Sequence, residues 1–266
     1  MECKNCDRPL RTDYSFCSNC GAKVIRNRIT IKNLWYDFTE RFFNLDSTFL
    51  KTFKHLFSRP DDVIVGYING VRKKYLNPIS YFMIAITLGG LFVYIHTEFF
   101  PDALDFKFLY PDPNSLSEAD KLGHDLQKKI NTYLFKYQSL FYIAMLPFLA
   151  VISRLIFFNK KQFNLSEHFV INIYAYSQMS IVINTVYIFL LWNSKLLYYA
   201  SMGNLVFQIG FFTWVFYKIF NLSAKQTLIK LLFFLVMLAL VFVLIMVAVV
   251  VYMAFFTDTF QNVTPK

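Results

Sequence analysis

The sequence predicts an all-α polytopic membrane protein. About five transmembrane helices are preceded by amphipathic interfacial helices and a small N-terminal four-cysteine zinc-ribbon head. Three observations carry this expectation. The 266 residues are 56% hydrophobic and 20% aromatic, with 32 Phe. They contain several continuous apolar runs of the ~20 residues needed to cross a bilayer. All four cysteines fall within the first 20 residues, as two CxxC pairs. A soluble domain of this length buries its core without such runs, and membrane β-barrels alternate over short segments instead.

Residues 1–25 are read as the head. Cys3 and Cys6 are separated from Cys17 and Cys20 by ten residues. Each CxxC pair bends the chain so that two thiolates reach one ion, and two pairs complete a tetrahedral all-thiolate shell. Gly21 suits the tight turn after the last cysteine. So short a segment has no core of its own, and metal binding supplies its folding free energy. Four cysteines leave no open position for water, so the expected Zn2+ is structural. A thioredoxin-like redox pair would need a βαβ context that this sequence lacks. Cysteines used as ligands rather than disulfides favour a reducing compartment. The polar, cysteine-rich start does not read as a cleavable signal peptide.

Residues 29–75 are read as amphipathic interfacial helices. Leu34, Trp35, Phe38, Phe42 and Leu45 recur at helical spacing. Phe49, Leu50, Phe53, Leu56 and Phe57 give the apolar side of a second helix, which Asp46 or Ser47 can cap. Arg59-Pro60 stops it, and Asp61 or Asp62 starts another that ends near Gly70. Such helices suit either the membrane interface or the body of the protein. Arg72, Lys73 and Lys74 follow, a cluster placed to meet anionic lipid just before the first apolar run.

A pattern emerges across this region: a CxxC…CxxCG head, an aromatic helix, Arg59-Pro60, then Tyr67, Ile68, Gly70, Arg72, Tyr75 and Pro78 ahead of a membrane helix. It resembles a bacterial family of zinc-ribbon membrane proteins, domain of unknown function three-six-six-seven. The resemblance covers the head and roughly the first 100 residues. It implies an architecture and carries no activity.

The transmembrane bundle is expected over residues 76–258, with spans at about 78–99, 137–158, 169–192, 198–220 and 228–256. Residues 100–136 form an outward loop in which Ser117 to Tyr133 reads as a helix, and Pro147 is expected to kink the second span. Five spans put the termini on opposite sides. The side holding residues 1–77 and the 154–164 and 218–230 connections has 20 Lys/Arg, and the other has 7. Positive residues mark the cytoplasmic face. The expectation is therefore a multi-pass protein of the bacterial inner (plasma) membrane, with its N-terminus cytoplasmic and its C-terminus outside. Topology and membrane lipids then account for the net charge of +10. A nucleic-acid partner is disfavoured, although Arg8, Arg11, Lys23, Arg26 and Arg28 lie near the head.

No HExxH, P-loop, nucleophile elbow or paired-carboxylate motif occurs, and no catalytic residue is expected. Ionisable groups at membrane depth are functional candidates. Here they are Arg154, Glu167, His168, His96 and Glu98, all near span ends, with Glu167 and His168 placed to pair with Arg154 or Lys160. The third span carries a sharper signal. Asn172, Tyr176, Ser180 and Asn184 recur every four residues, with Ser177 close by, and make one polar face that cannot meet lipid cheaply. Asn204 and Gln208 on the fourth span are its candidate partners. The face reads as interhelical hydrogen bonding, or as a lined cavity or docking face.

The expected function is a non-enzymatic membrane scaffold or accessory subunit. Its head would dock a cytoplasmic protein and its helices would join a larger membrane assembly. The alternatives are a transporter or channel-like protein using the polar third span, and a lipid-modifying enzyme at the cytoplasmic interface using Glu167 and His168.

Overall fold

The computed structural model describes residues 1–22, 48–104 and 132–256, with Val24, Thr30, Ile31, Gly123 and Ile130. The expected aromatic helix over 34–45 lies outside the described residues, as does most of the outward loop, including most of the helix expected over 117–133. The chain divides into two compact units, Met1–Asp46 and Ser47–Lys266.

Among its described residues the first unit has little apolar material to bury. An antiparallel bridge joins Glu2 to Pro9. Cys3, Leu10 and Cys17 make up its buried cluster, with Tyr14, Ala22 and Val24 against it.

The second unit is helical. Helices α1 (Leu50–Ser58) and α2 (Pro60–Ile68) form a pair. They are followed by α3 (Pro78–Phe99), α4 (Gln138–Ile156), α5 (Leu165–Leu190), α6 (Ser194–Ile219) and α7 (Ala224–Phe256). By length and composition α3, α4 and α5 can each cross a membrane, which marks the chain as a membrane protein. Helices α6 and α7 run 26 and 33 residues over the stretches expected as the fourth and fifth spans.

Local chemistry sets the helix starts. Asn77 caps α3 by accepting from the Ser80 N–H at 2.8 Å, and Pro78 takes the first turn, where its missing N–H costs nothing. Helix α5 begins at Leu165 rather than about 169, because Asn164 and Glu167 form a reciprocal capping box. Asn193 accepts from Lys195 and Leu196, so α6 starts at Ser194 rather than 198. Ser223 and Gln226 exchange the same kind of bonds, starting α7 at Ala224 rather than 228. These turns are polar, so the apolar runs alone do not reveal them.

Helix α5 is the axis of the bundle. It packs on α3, α4 and α6 and also on α1 and α2, and 12 of its 26 residues are buried. Leu56 from α1 and Val63 and Ile64 from α2 share one core with Tyr81, Ile171 and Tyr174. Of the two placements open to the helices over 50–68, the structure takes the bundle. The side that α1 buries is shifted from expectation. Leu50 is 60% exposed, while Thr52 is buried. Thr52 accepts from the Leu76 N–H at 2.9 Å and donates to the Thr48 carbonyl at 2.6 Å. Asp61 and Asp62 lie within the first turn of α2, which Pro60 itself opens.

Candidate functional site

The head brings the four cysteines together. The Sγ atoms of Cys3, Cys6, Cys17 and Cys20 all lie within 4.8 Å of one another. Cys3 and Cys20 are 3.7 Å apart, as are Cys6 and Cys17. A tetrahedron with metal–sulfur bonds of ~2.3 Å has sulfurs roughly 3.8 Å apart, so the spacing suits one ion. Two similar turns build the cluster. The Asp7 N–H donates to the Cys3 carbonyl at 2.8 Å, and the Gly21 N–H to the Cys17 carbonyl at 2.9 Å. Both turns end in a left-handed residue, Asp7 at φ 56 and Gly21 at φ 72. Asn19 donates to the Cys6 sulfur at 3.8 Å and is itself held by Arg8 at 2.9 Å.

The electrostatics point the same way. The Ala22 N–H, then the Asn5 side chain, lower the Cys20 thiol to about 6. The N–H groups of Cys20 and Asn19 lower Cys17. Cys3 behaves oppositely. The Asn5 N–H favours its thiolate, but burial and the neighbouring thiols Cys20 and Cys6 outweigh this and push it up to about 11. Four thiolates this close repel one another, and a divalent cation removes that conflict. The four cysteines can hold a metal ion with no position left open.

The second feature joins α2 to the bundle. Gly70 sits at φ 99, a backbone conformation that favours glycine, and turns the chain out of α2. Arg72 donates to the Tyr67 carbonyl, and its guanidinium lies 3.9 Å from the centre of the Tyr67 ring. That ring meets Tyr174 of α5 edge-on. Tyr75 is buried and bonds through its hydroxyl to His55 Nδ1 at 2.7 Å. Residues 46–89 match the family model Protein of unknown function (DUF3667). No curated protein and no solved structure matches the chain. The matched segment thus takes in α1, α2 and the first half of α3. The four cysteines lie outside it. Within it, Tyr67, Gly70, Arg72, Tyr75 and Pro78 act together as a hinge that folds α1 and α2 back onto α5. Lys73 and Lys74 are exposed beside Arg72.

The DUF3667 segment is tied down by residues that the sequence reading passed over. Gln178 of α5 accepts from the Tyr81 hydroxyl and donates to the Phe53 carbonyl at 3.2 Å. The Tyr174 hydroxyl donates to the Leu76 carbonyl at 2.7 Å. The Trp214 indole on α6 donates to the Phe57 carbonyl at 3.0 Å. These residues lie outside the four-residue stripe on α5, and their carbonyl partners carry no sequence signal.

Asn172, Ser180 and Asn184 of the stripe are buried with partners inside the bundle, whereas the buried Ser177 hydroxyl has none among the described residues. Asn172 donates to Ser153 Oγ on α4 at 2.8 Å and to the His168 carbonyl at 2.7 Å. Asn184 donates to the Ser180 carbonyl and hydroxyl at 2.7 and 3.0 Å. Tyr176 is half-buried, edge-on to Tyr142. Asn204 and Gln208 bond to each other on α6. Glu167 and His168 diverge. Glu167 turns back to cap α5 through the Asn164 N–H at 2.7 Å. His168 is fully buried, with Nδ1 3.0 Å from Ser153 Oγ and aromatic contacts to Phe163 and Phe220. The expected pairing of these two with Arg154 or Lys160 does not form among the described residues. Ser153 and His168 fix α4 against α5. The Ser153 hydroxyl is held between His168 and the Ala150 carbonyl and also accepts from Asn172.

Proposed function

We propose that the chain is a non-enzymatic membrane scaffold or accessory subunit whose metal-stabilised head docks a protein partner. The observation that carries this reading is the division of labour between the two units. The amphipathic helices α1 and α2 already bury much of their apolar faces against α5 and α6. The head belongs to the other compact unit, Met1–Asp46, gathers four thiols and presents Phe16 at 57% exposure. A closed all-thiolate shell organises a fold and leaves no site for substrate. The metal is zinc, the cation that such a shell holds without redox chemistry.

The proposed setting is a bacterial inner membrane crossed five times by α3 to α7. Helix α7 supports this with Leu228, Ile229, Leu232, Phe233 and Val236 all exposed. The excess of Lys/Arg on one side supports a cytoplasmic head and an outer C-terminus. A transport pathway along α5 is less well supported, because Asn172, Ser180 and Asn184 are buried with internal partners. An interfacial enzyme is weaker still, since Glu167 and His168 do not converge.

The test is a mild-detergent pull-down of the tagged full chain from its native membrane, with mass spectrometry, alongside the Cys17→Ser/Cys20→Ser variant. Proteins recovered with the wild type and lost with the variant are expected. A solitary wild-type protein would overturn the reading.

A further inference from the structure

One end of the bundle carries a feature that the scaffold reading does not use. A partly open cavity of about 50 Å³ lies between α4, α5, α6 and α7. Its walls are almost wholly apolar, with Ile152, Ile209, Phe212, Leu231 and Phe234 among them. Its polar groups are few, and among the described lining residues Lys230 is the charged one. Cavities of this composition stay dry and take apolar occupants.

Lys230 marks the mouth. Its ammonium donates to the Ile156 carbonyl and to Asn159 Oδ1 at 2.8 Å, which occupies two of its three N–H donors. The surrounding chain is strongly basic. Residues 154–164 and 218–230 contribute Arg154, Lys160, Lys161, Lys218, Lys225 and Lys230, with no Asp or Glu in either stretch. Aromatic side chains line the same end. Phe157 stacks on Phe216 and Phe220 at 4.9 and 4.3 Å, and Lys218 lies 4.8 Å from the Trp214 ring. Apolar walls below, a cationic mouth and an aromatic rim match the layers of a phospholipid, from acyl chain to phosphate.

We propose that this groove binds one anionic phospholipid of the surrounding bilayer, with an acyl chain against Ile209 and Phe212 and its phosphodiester at the free donor of Lys230. The site rests on the membrane placement of α4 to α7 and is independent of what the head docks. The cation selects charge, and the groove selects a chain.

The experiment is native mass spectrometry of the full chain in detergent, titrated with phosphatidylglycerol or with phosphatidylcholine of the same acyl chains. One phosphatidylglycerol per chain is expected to be retained at concentrations where phosphatidylcholine is not. Lys230→Gln should weaken that retention about five-fold, the worth of one basic group at an anionic surface. Ile209→Trp, which fills the groove and keeps the charge, should weaken it as well. Lys136→Gln, which removes a positive charge just ahead of α4, at the end opposite Ile156, should leave it unchanged. Equal retention of the two lipids, or retention unaffected by both groove variants, would overturn the proposal. Displacement of phosphatidylglycerol by inorganic phosphate alone would overturn it too, by reducing the site to a free-anion site.

Discussion

The hydroxyl of Tyr174, in the middle of α5, donates to the carbonyl of Leu76 at 2.7 Å, across 98 residues of chain. Leu76 closes the hinge just ahead of α3, so this bond fixes where the first long helix begins relative to the central one. Tyr174→Phe keeps the ring and leaves a half-buried carbonyl without this donor, at a cost of about 1 kcal/mol. Gln178→Ala should cost more, because both the Tyr81 hydroxyl and the Phe53 carbonyl lose a partner. Thermal unfolding in detergent, followed by tryptophan fluorescence, checks the order.

Gly89 and Gly90 are neighbours on α3 with opposite expectations. A Cβ at Gly89 would lie 3.2 Å from Tyr142 Cε2 and 3.4 Å from Gln138 Nε2, whereas one at Gly90 meets nothing within 4 Å. Gly89→Ala should therefore destabilise the α3–α4 contact by about 1–3 kcal/mol. Gly90→Ala should be neutral or stabilising by up to roughly 1 kcal/mol, through helix propensity. The same unfolding assay reads both.

His55 makes the hinge sensitive to acid. Arg59 lies 3.2 Å from His55 Nε2. A guanidinium can only donate, so Nε2 accepts and Nδ1–H donates to Tyr75. Desolvation, then Arg59, Lys51 and Lys74, push the imidazole below its ordinary 6.5. The unfolded chain therefore binds the proton first as pH falls. Stability is fully present above 6.5 and is lost between that value and the lower folded one. The midpoint of unfolding should drop between pH 7 and pH 5, and His55→Gln should flatten that slope.

Removing the metal should affect the head alone. A strong chelator is expected to abolish the dispersed signals of Cys3, Leu10 and Cys17, since their small cluster has little else to hold it. The far-UV helical signal of the second unit should persist. Elemental analysis of the untreated protein should return one metal ion per chain.

The sequence announces features that depend on spacing or on length. Cys3, Cys6, Cys17 and Cys20 were legible as one cluster because CxxC geometry is local. Helices α3 to α5 were legible because hydrocarbon thickness demands long apolar runs. Their polar ends were not, because a capping residue such as Asn164 or Asn193 satisfies N–H groups outside the apolar run. An apolar stripe on α1 shows that something covers it, but not whether lipid or α5 does so. Thr52 replaced Leu50 on the buried side because a threonine could accept from the Leu76 N–H. Gln178 and Tyr174 escaped notice for a related reason. Their partners are a tyrosine 97 residues away and backbone carbonyls 125 and 98 residues away, and only the fold brings these together.

The most direct test of the head as a docking element separates its surface from its fold. Phe16 is exposed beside the buried Cys17, so Phe16→Ser should keep the metal and the head intact. The account predicts that full-length Phe16→Ser retains one metal ion per chain yet loses the proteins that co-purify with the wild type, as Cys17→Ser/Cys20→Ser does. Undiminished recovery of the same proteins by both variants would contradict it and assign the assembly to the helices.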